Sequence, residues 1–100
     1  MRRRAERIEG EGGEMTVWKF VLDPNGCVMM PRGARILSVG EQGAEIVAWA
    51  MVDPKASTVR RRIVPIGTGH KAEHVAALSF VGTVQMRDGL VFHFFDAGEP

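Results

Sequence analysis

Residues 78–95 read Leu-Ser-Phe-Val-Gly-Thr-Val-Gln-Met-Arg-Asp-Gly-Leu-Val-Phe-His-Phe-Phe and carry the clearest β-hairpin signal in the chain. Apolar side chains recur at alternate positions along both arms, which is the period-two pattern of a half-buried strand. Asp88-Gly89 between the arms is typical of a tight type I′ turn. The pattern therefore predicts two antiparallel strands. Their core-facing side chains are predicted to be Phe80, Val84, Met86, Leu90, Phe92 and Phe94.

Short β-prone segments separated by turn sequences also fill the chain before this hairpin. A short helical turn is predicted at residues 71–77. Strands are predicted at residues 16–22, 27–30, 34–40, 45–52 and 58–66, and at the two hairpin arms, 78–86 and 90–95. These elements predict an all-β fold, a small antiparallel sandwich or partly open barrel of six or seven strands with at most one short helical turn.

Two of these segments have a predicted place in the sheet. Residues 45–52 are apolar on both faces, which is typical of a central strand, and we expect Trp49 in the core. Residues 58–66 contain three consecutive arginines and Pro65, which cannot donate a ladder hydrogen bond. We therefore expect this strand at an edge or at the rim of the domain.

The domain organisation follows from length and composition. One hundred residues, 45% of them hydrophobic, suffice for one domain with one modest core. Residues 1–14 contain four arginines and four glutamates, so they are predicted to be disordered or a non-native extension. Met15 is the expected native start, because Glu-Gly-Gly-Glu before a methionine also results from in-frame translation of a ribosome-binding sequence. Residues 15–97 are the predicted β domain and 98–100 a tail.

Charge and hydropathy argue against several classes of partner. The net charge is +1, far from the excess expected of a dedicated nucleic-acid binder. The apolar runs are much shorter than the roughly 20 residues that span a bilayer, so a membrane partner is not expected. The N-terminus lacks the apolar segment of a secretory signal. Cys27 cannot form an internal disulfide, which fits a reducing cytoplasm.

The stretch from Arg60 to His70 is the part of the sequence that most resembles a binding site. Two glycines flanking Thr68 expose backbone N–H groups, and nearby arginines add positive charge, so an anion could be held there. The predicted ligand-binding residues are Arg60, Arg62, Gly67, Thr68, Gly69 and His70. The alternative interpretation is a strand-end turn, in which glycine supplies a positive φ, beside a solvated basic edge. Alternation places Arg61 on the other face of the strand, with Val59 and Ile63.

Two short stretches resemble catalytic or nucleotide-binding motifs, but the surrounding sequence lacks the features that these motifs require. His70-Lys71-Ala72-Glu73-His74 matches the letters H-x-x-E-H of a metalloprotease class. A catalytic zinc also needs a third ligand on a rigid scaffold, and only a short loop lies here between two predicted strands. Gly-Thr-Gly-His has neither the P-loop nor the dinucleotide-binding spacing. We therefore predict no catalytic residue, no metal site and no cofactor.

Six motifs along the chain carry a family resemblance. They are Val-Trp-Lys-Phe at 17–20, Met-Pro-Arg-Gly-Ala-Arg-Ile-Leu-Ser-Val at 30–39, Trp-Ala-Met-Val-Asp-Pro at 49–54, Gly-Thr-Gly-His at 67–70, Phe-Val-Gly-Thr at 80–83 and Leu-Val-Phe-His-Phe-Phe at 90–95. In this order, the chain resembles a family of small uncharacterised proteins encoded by tailed bacteriophages and prophages, over residues 15–96. The resemblance implies phage origin and expression in the cytoplasm of a bacterial host, and carries no established activity. It also favours Met15 as the start and singles out the Gly-Thr-Gly-His turn, whereas His74 departs from the family pattern.

The leading hypothesis from the sequence is a non-catalytic phage accessory protein. Its expected partner is a host protein or a small anionic ligand, bound at the rim loop formed by Gly-Thr-Gly-His. A minor structural or assembly component of the virion is the alternative, in which the free strand edges would form a symmetric homo-oligomer. A small metal-dependent hydrolase is the third hypothesis.

Overall fold

The computed structural model describes residues 14–23 and 25–100, so the predicted N-terminal extension lies outside the described residues except for Glu14. In this part of the chain seven strands form, and one 3-10 helix spans Glu73–Val75 between the fifth and sixth strands. The strands are β1 (Thr16–Val21), β2 (Cys27–Pro31), β3 (Arg35–Gln42), β4 (Glu45–Val52), β5 (Thr58–Gly67), β6 (Ser79–Gln85) and β7 (Val91–Gly98).

The strands form two antiparallel sheets that face each other. The three-stranded sheet has the order β1-β4-β3 and the four-stranded sheet has the order β2-β5-β7-β6. β3 and β6 approach closely on one side, where a Cβ added to Gly82 would lie 3.1 Å from Val39 Cγ2. The two sheets do not close into a barrel. The predicted all-β antiparallel fold is therefore confirmed as a small seven-stranded sandwich with a single short helical turn.

The core lies between the inner faces of the two sheets. Its fully buried members are Met30, Ala34, Ala50, Val52, Ile63, Val84 and Phe94. β4 is central, as predicted, because it pairs with β1 on one side and β3 on the other. The expectation for Trp49 was wrong. Since Ala50 faces the core, alternation turns Trp49 to the outer face, where its ring lies over Gly40.

The hairpin of β6 and β7 is confirmed, but two of its six predicted core residues are not in the core. A register shift between Phe80 and Gly82 turns Phe80 outward, where it is 59% exposed and contacts Phe95 edge to face. Val81 packs against the core instead. Leu90 lies in the turn before β7 and is 56% exposed. The other four predicted side chains face the core: Val84, Met86, Phe92 and Phe94.

The turn of this hairpin differs from the predicted type I′ turn. A type I′ turn needs a positive φ at both central residues. Gly89 has φ +97°, whereas no non-glycine residue in the described ranges has a positive φ, so Asp88 does not meet this requirement. Instead Gly89 N–H donates to Met86 O and Met86 N–H donates to Leu90 O. These bonds close a three-residue loop ending in a left-handed glycine.

The expected edge position of β5 was wrong for the strand as a whole. β5 lies between β2 and β7, but β2 pairs only with residues 58–62 and β7 only with residues 62–67. Ile63 N–H points toward β2 and donates to Gly26 O. Two residues later, the Pro65 nitrogen points the same way, beyond the end of β2. Pro65 is therefore tolerated because the missing donor faces an open edge.

Residues 71–78 cover part of the outer face of the four-stranded sheet. The 3-10 helix in this segment places Val75, which is 1% exposed, against Val64 and Ile66. A second, smaller apolar cluster thus forms on that face.

Candidate functional site

The Gly-Thr-Gly-His turn begins at the last residue of β5 and is stabilised by one backbone hydrogen bond to β7 and one within the turn. Thr68 N–H donates to Val91 O at 3.1 Å and His70 N–H donates to Gly67 O at 3.0 Å. Gly69 has φ +92°, a conformation that favours glycine. The expectation that this turn exposes its amides to an anion is therefore wrong for Thr68 and His70, whose donors are already used.

Arg60 and Arg62 lie on the far half of β5 and do not join the turn. Arg60 is seven positions before Gly67, a separation of about 23 Å along a strand. Both arginine side chains are exposed and sit opposite Met29 and Cys27 of β2. The structure thus brings together the four turn residues of the predicted site and leaves its two arginines at the other end of the strand.

The turn faces the β6–β7 turn across an open cleft of about 550 Å³, here called the turn cleft. Gly67, Thr68 and His70 line one side, and residues 89–92 line the other. A Cβ on Gly67 would lie 3.1 Å from His70 Cδ2, so the glycine lets the imidazole ring lie close to the strand. Leu90 supplies exposed apolar surface on the opposite wall. The turn cleft therefore combines polar groups on one side with apolar ones on the other.

A histidine and two threonines form a hydrogen-bonded network beside the turn cleft, on the outer face of the four-stranded sheet. Thr68 Oγ1 lies 2.7 Å from His93 Nε2, and Thr83 Oγ1 lies 2.9 Å from His93 Nδ1. Both ring nitrogens of His93 are thus engaged by hydroxyl groups, and the three side chains connect the turn to β6 and β7. Sequence reasoning missed this network. Alternation turned His93 away from the core, but no local pattern indicated its partners.

The opposite end of the sandwich contains a buried ion pair. Arg61 donates from Nε and Nη2 to the two carboxylate oxygens of Asp96, at 3.0 and 2.8 Å, and from Nη1 to Ala34 O at 2.8 Å. Glu99 Oε2 lies 3.5 Å from Nη1. The side chains of Arg61 and Asp96 are only 11% and 15% exposed. We call this group, Arg61 with Asp96 and Glu99, the ion-pair cluster.

The ion-pair cluster sets the protonation of its members and anchors the end of the chain. Burial by itself would raise the pKa of Asp96, but hydrogen bonds from Arg61 and from Gly98 N–H bring that pKa below its ordinary value. The bond to Asp96 also raises the pKa of Arg61. The predicted tail, 98–100, begins within β7, because Gly98 belongs to that strand, and Glu99 accepts the Gly33 N–H.

The H-x-x-E-H letters do not lie on an α-helix. His70 is in the turn and His74 is in the three-residue 3-10 helix, and both are exposed. Within residues 14–23 and 25–100, no three His, Cys, Asp or Glu side chains converge in a way that could hold a metal ion. In the same residues, no helix has the length and apolar character needed to cross a membrane.

Fold and site together define a small two-sheet β domain with a cleft at one end and a buried ion pair at the other. The sequence matches a family described as a domain of unknown function, DUF7352, over residues 14–100. The protein belongs to this family. No curated protein and no solved structure matches the chain significantly.

Proposed function

We propose that this protein is a non-catalytic binding module that holds a segment of another protein in the turn cleft. The observation that carries the proposal is the cleft itself, in which Thr68 and His70 face an exposed apolar wall that includes Leu90. Such a combination suits a peptide segment with an apolar anchor and neighbouring polar groups. The biological setting in this proposal is that of a phage accessory protein in the cytoplasm of a bacterial host, supported by the motif resemblance over residues 15–96.

A protein segment fits the turn cleft better than a small anion does. The Thr68 amide donates to Val91 O on β7 and the His70 amide donates to Gly67 O, so neither is free for an anion. Arg60 and Arg62, the cations of the predicted site, lie about 16–23 Å away along the strand. An anion in the cleft would lack both the backbone cradle and the guanidinium groups. The contact residues in this proposal are therefore Gly67, Thr68 and His70, together with Leu90.

Capture from a bacterial host lysate tests the proposal, followed by titration of the purified partner. Three immobilised proteins are compared: the wild type, Leu90→Asp in the cleft, and Arg60→Ala/Arg62→Ala at the far end of β5. We expect a partner that binds the wild type and the arginine variant and is lost with Leu90→Asp. Loss with the arginine variant, or equal recovery by all three proteins, would contradict the turn cleft as the binding surface.

A second function, assembly into a symmetric oligomer of the virion, is favoured by the edge of β1. Bulges interrupt the edge strands β3 and β6, and Pro31 ends β2, but β1 pairs with β4 in an unbroken register. Val17 and Val21 on β1 are each 49% exposed. An unprotected edge strand of this kind can pair with another chain. Sedimentation velocity of the purified protein and mass spectrometry of purified particles test this alternative, and a monomer absent from particles would eliminate it.

A further inference from the structure

A second cleft opens between the two sheets at the same end as the turn cleft, and the proposed function does not use it. It has a volume of about 590 Å³ and is here called the mouth cleft. Its apolar walls are Leu22, Ile46, Pro65, Met86, Phe92 and Phe94. The mouth cleft reaches the core at Phe94, which is 3% exposed, whereas the other five are only partly covered.

The volume and lining of the mouth cleft match those of a site for a small apolar group. Ligand clefts typically measure about 300–1,000 Å³ and are lined mainly by apolar side chains with a few polar groups. Met86 and Phe92 come from the β6–β7 hairpin. Ile46 lies on β4 of the facing sheet, and Leu22 directly follows β1 of that sheet. An apolar chain or ring inserted between the sheets would remove surface on all four side chains from water.

The rim of the mouth cleft is negatively charged. Ten described residues line the mouth cleft, and the two charged ones among them, Asp23 and Glu45, are both acidic. Both are exposed at the opening. The neighbouring Arg87 has a partner of its own, because its Nε lies 3.8 Å from Glu41 Oε2 and its Nη2 donates to Gly43 O. The charges that the described residues place at the opening therefore favour a cation and disfavour an anion.

We propose that the mouth cleft binds a small amphiphilic cation, with its apolar part between the sheets and its positive group beside Asp23 and Glu45. The apolar walls select the body of the ligand, and the rim carboxylates select its charge. This site is separate from the turn cleft, although Phe92 lines both.

The test uses two probes of equal chain length and opposite charge. Octyltrimethylammonium and octanoate, both below their micelle concentrations, are titrated into the full chain and followed by amide ¹H–¹⁵N shifts. We expect the cation to bind saturably, with the largest shifts at Leu22, Ile46, Met86 and Phe92, and more tightly than octanoate. Equal or tighter binding of octanoate, shifts without saturation, or shifts centred elsewhere would overturn the proposal.

Variants of the rim carboxylates distinguish the effect of their charge on cation binding from a change in the structure of the turns. Asp23→Asn and Glu45→Gln remove one carboxylate each, and each is expected to weaken cation binding by about 2- to 5-fold, with the loss smaller in high salt. Asp53→Asn is the matched control. Asp53 Oδ1 accepts Lys55 N–H in the same way that Asp23 Oδ1 accepts Asn25 N–H, but Asp53 lies outside the mouth cleft. A similar loss in Asp53→Asn, or no loss in either rim variant, would contradict a role for the rim. Neither result bears on Leu90 and the turn cleft.

Discussion

The two ends of the sandwich are built from the same strands, but their polar groups are satisfied in opposite ways. At one end, the guanidinium of Arg61 is enclosed and all its bonds go to partners within the chain. At the other end, His93 and its threonines lie near the surface, and the apolar walls of the two clefts stay partly open. A buried charge must find its partners inside the fold, because an unpaired one is very costly. The cleft end leaves surface that a second molecule can cover.

The largest loss of stability is expected from a change in the ion-pair cluster. Arg61→Met should lower the free energy of unfolding by about 3 kcal/mol, because it leaves the largely covered carboxylate of Asp96, whose side chain is 15% exposed, without its cation. Urea unfolding at neutral pH measures this change. Arg60→Met is the control, since Arg60 is exposed and should change stability by less than about 0.5 kcal/mol. Equal losses in the two variants would mean that burial of the ion pair is not what stabilises this end.

The second largest effect is expected from acid, which should remove the stabilising contribution of Asp96 in the ion-pair cluster. The pKa of Asp96 is lower in the folded chain than in the unfolded chain, so the unfolded chain binds the proton first as the pH falls. The contribution of Asp96 is complete above the unfolded value of about 3.9 and is lost as the pH falls through the lowered folded value. Urea titrations of the wild type and Asp96→Asn from pH 7 to pH 2.5 should show their stability difference shrinking at the acid end. A constant difference would argue against the lowered pKa.

At the cleft end, breaking the histidine network should have a smaller effect. Thr68→Val removes the hydroxyl that bonds His93 Nε2 and should cost about 0.5–1.5 kcal/mol. Hydrogen exchange at the Thr68 amide should also speed up, since the turn loses a side-chain tether. Thr58→Val serves as the comparison, because Thr58 is an exposed threonine at the start of β5, the strand that leads into the turn. If both variants behave alike, the network does not hold the turn.

The smallest effect on stability is expected from Leu90→Asp in the turn cleft. Leu90 is 56% exposed and outside the core, so this change should alter the free energy of unfolding by no more than about 0.5 kcal/mol. Thermal unfolding followed by circular dichroism provides the measurement. A large loss would show that the cleft wall supports the fold, and the binding experiment with this variant would then need His70→Ala in its place.

Strand positions could be predicted because their signals are local. Alternation of apolar residues and the turn sequences located all seven strands, including the 45–52 segment, which matches β4 at both ends. Alternation predicted the wrong face for Phe80, because a bulge adds one residue to the strand and thereby exchanges its two faces. The predicted core position of Trp49 was wrong for a related reason. A strand that is apolar on both faces does not reveal which face meets the core.

Only part of the candidate site could be predicted. The sequence singled out Gly67, Thr68 and His70, which do line a cleft, because glycine-rich turns are recognisable from neighbouring residues alone. It favoured the exposed Arg60 and Arg62 as ligand contacts and gave no partner to Arg61, which lies 35 positions from Asp96. The mouth cleft could not be predicted from the sequence either, since its walls come from four separate strands and their turns.

The sequence by itself determined the period of the strands, the places where the chain turns, and the size of one small β domain. These depend on backbone preferences and on contacts between residues close along the chain. The tertiary structure decided that Arg61 is enclosed while Arg60 and Arg62 are exposed, and that Phe92 lines two clefts. Those outcomes depend on how the two sheets pack and on which distant strands become neighbours. Alternation along β5 separated Arg61 from Arg60 and Arg62, and the packing of distant strands then enclosed its face of the sheet, which left one buried structural cation with a solvated arginine on either side.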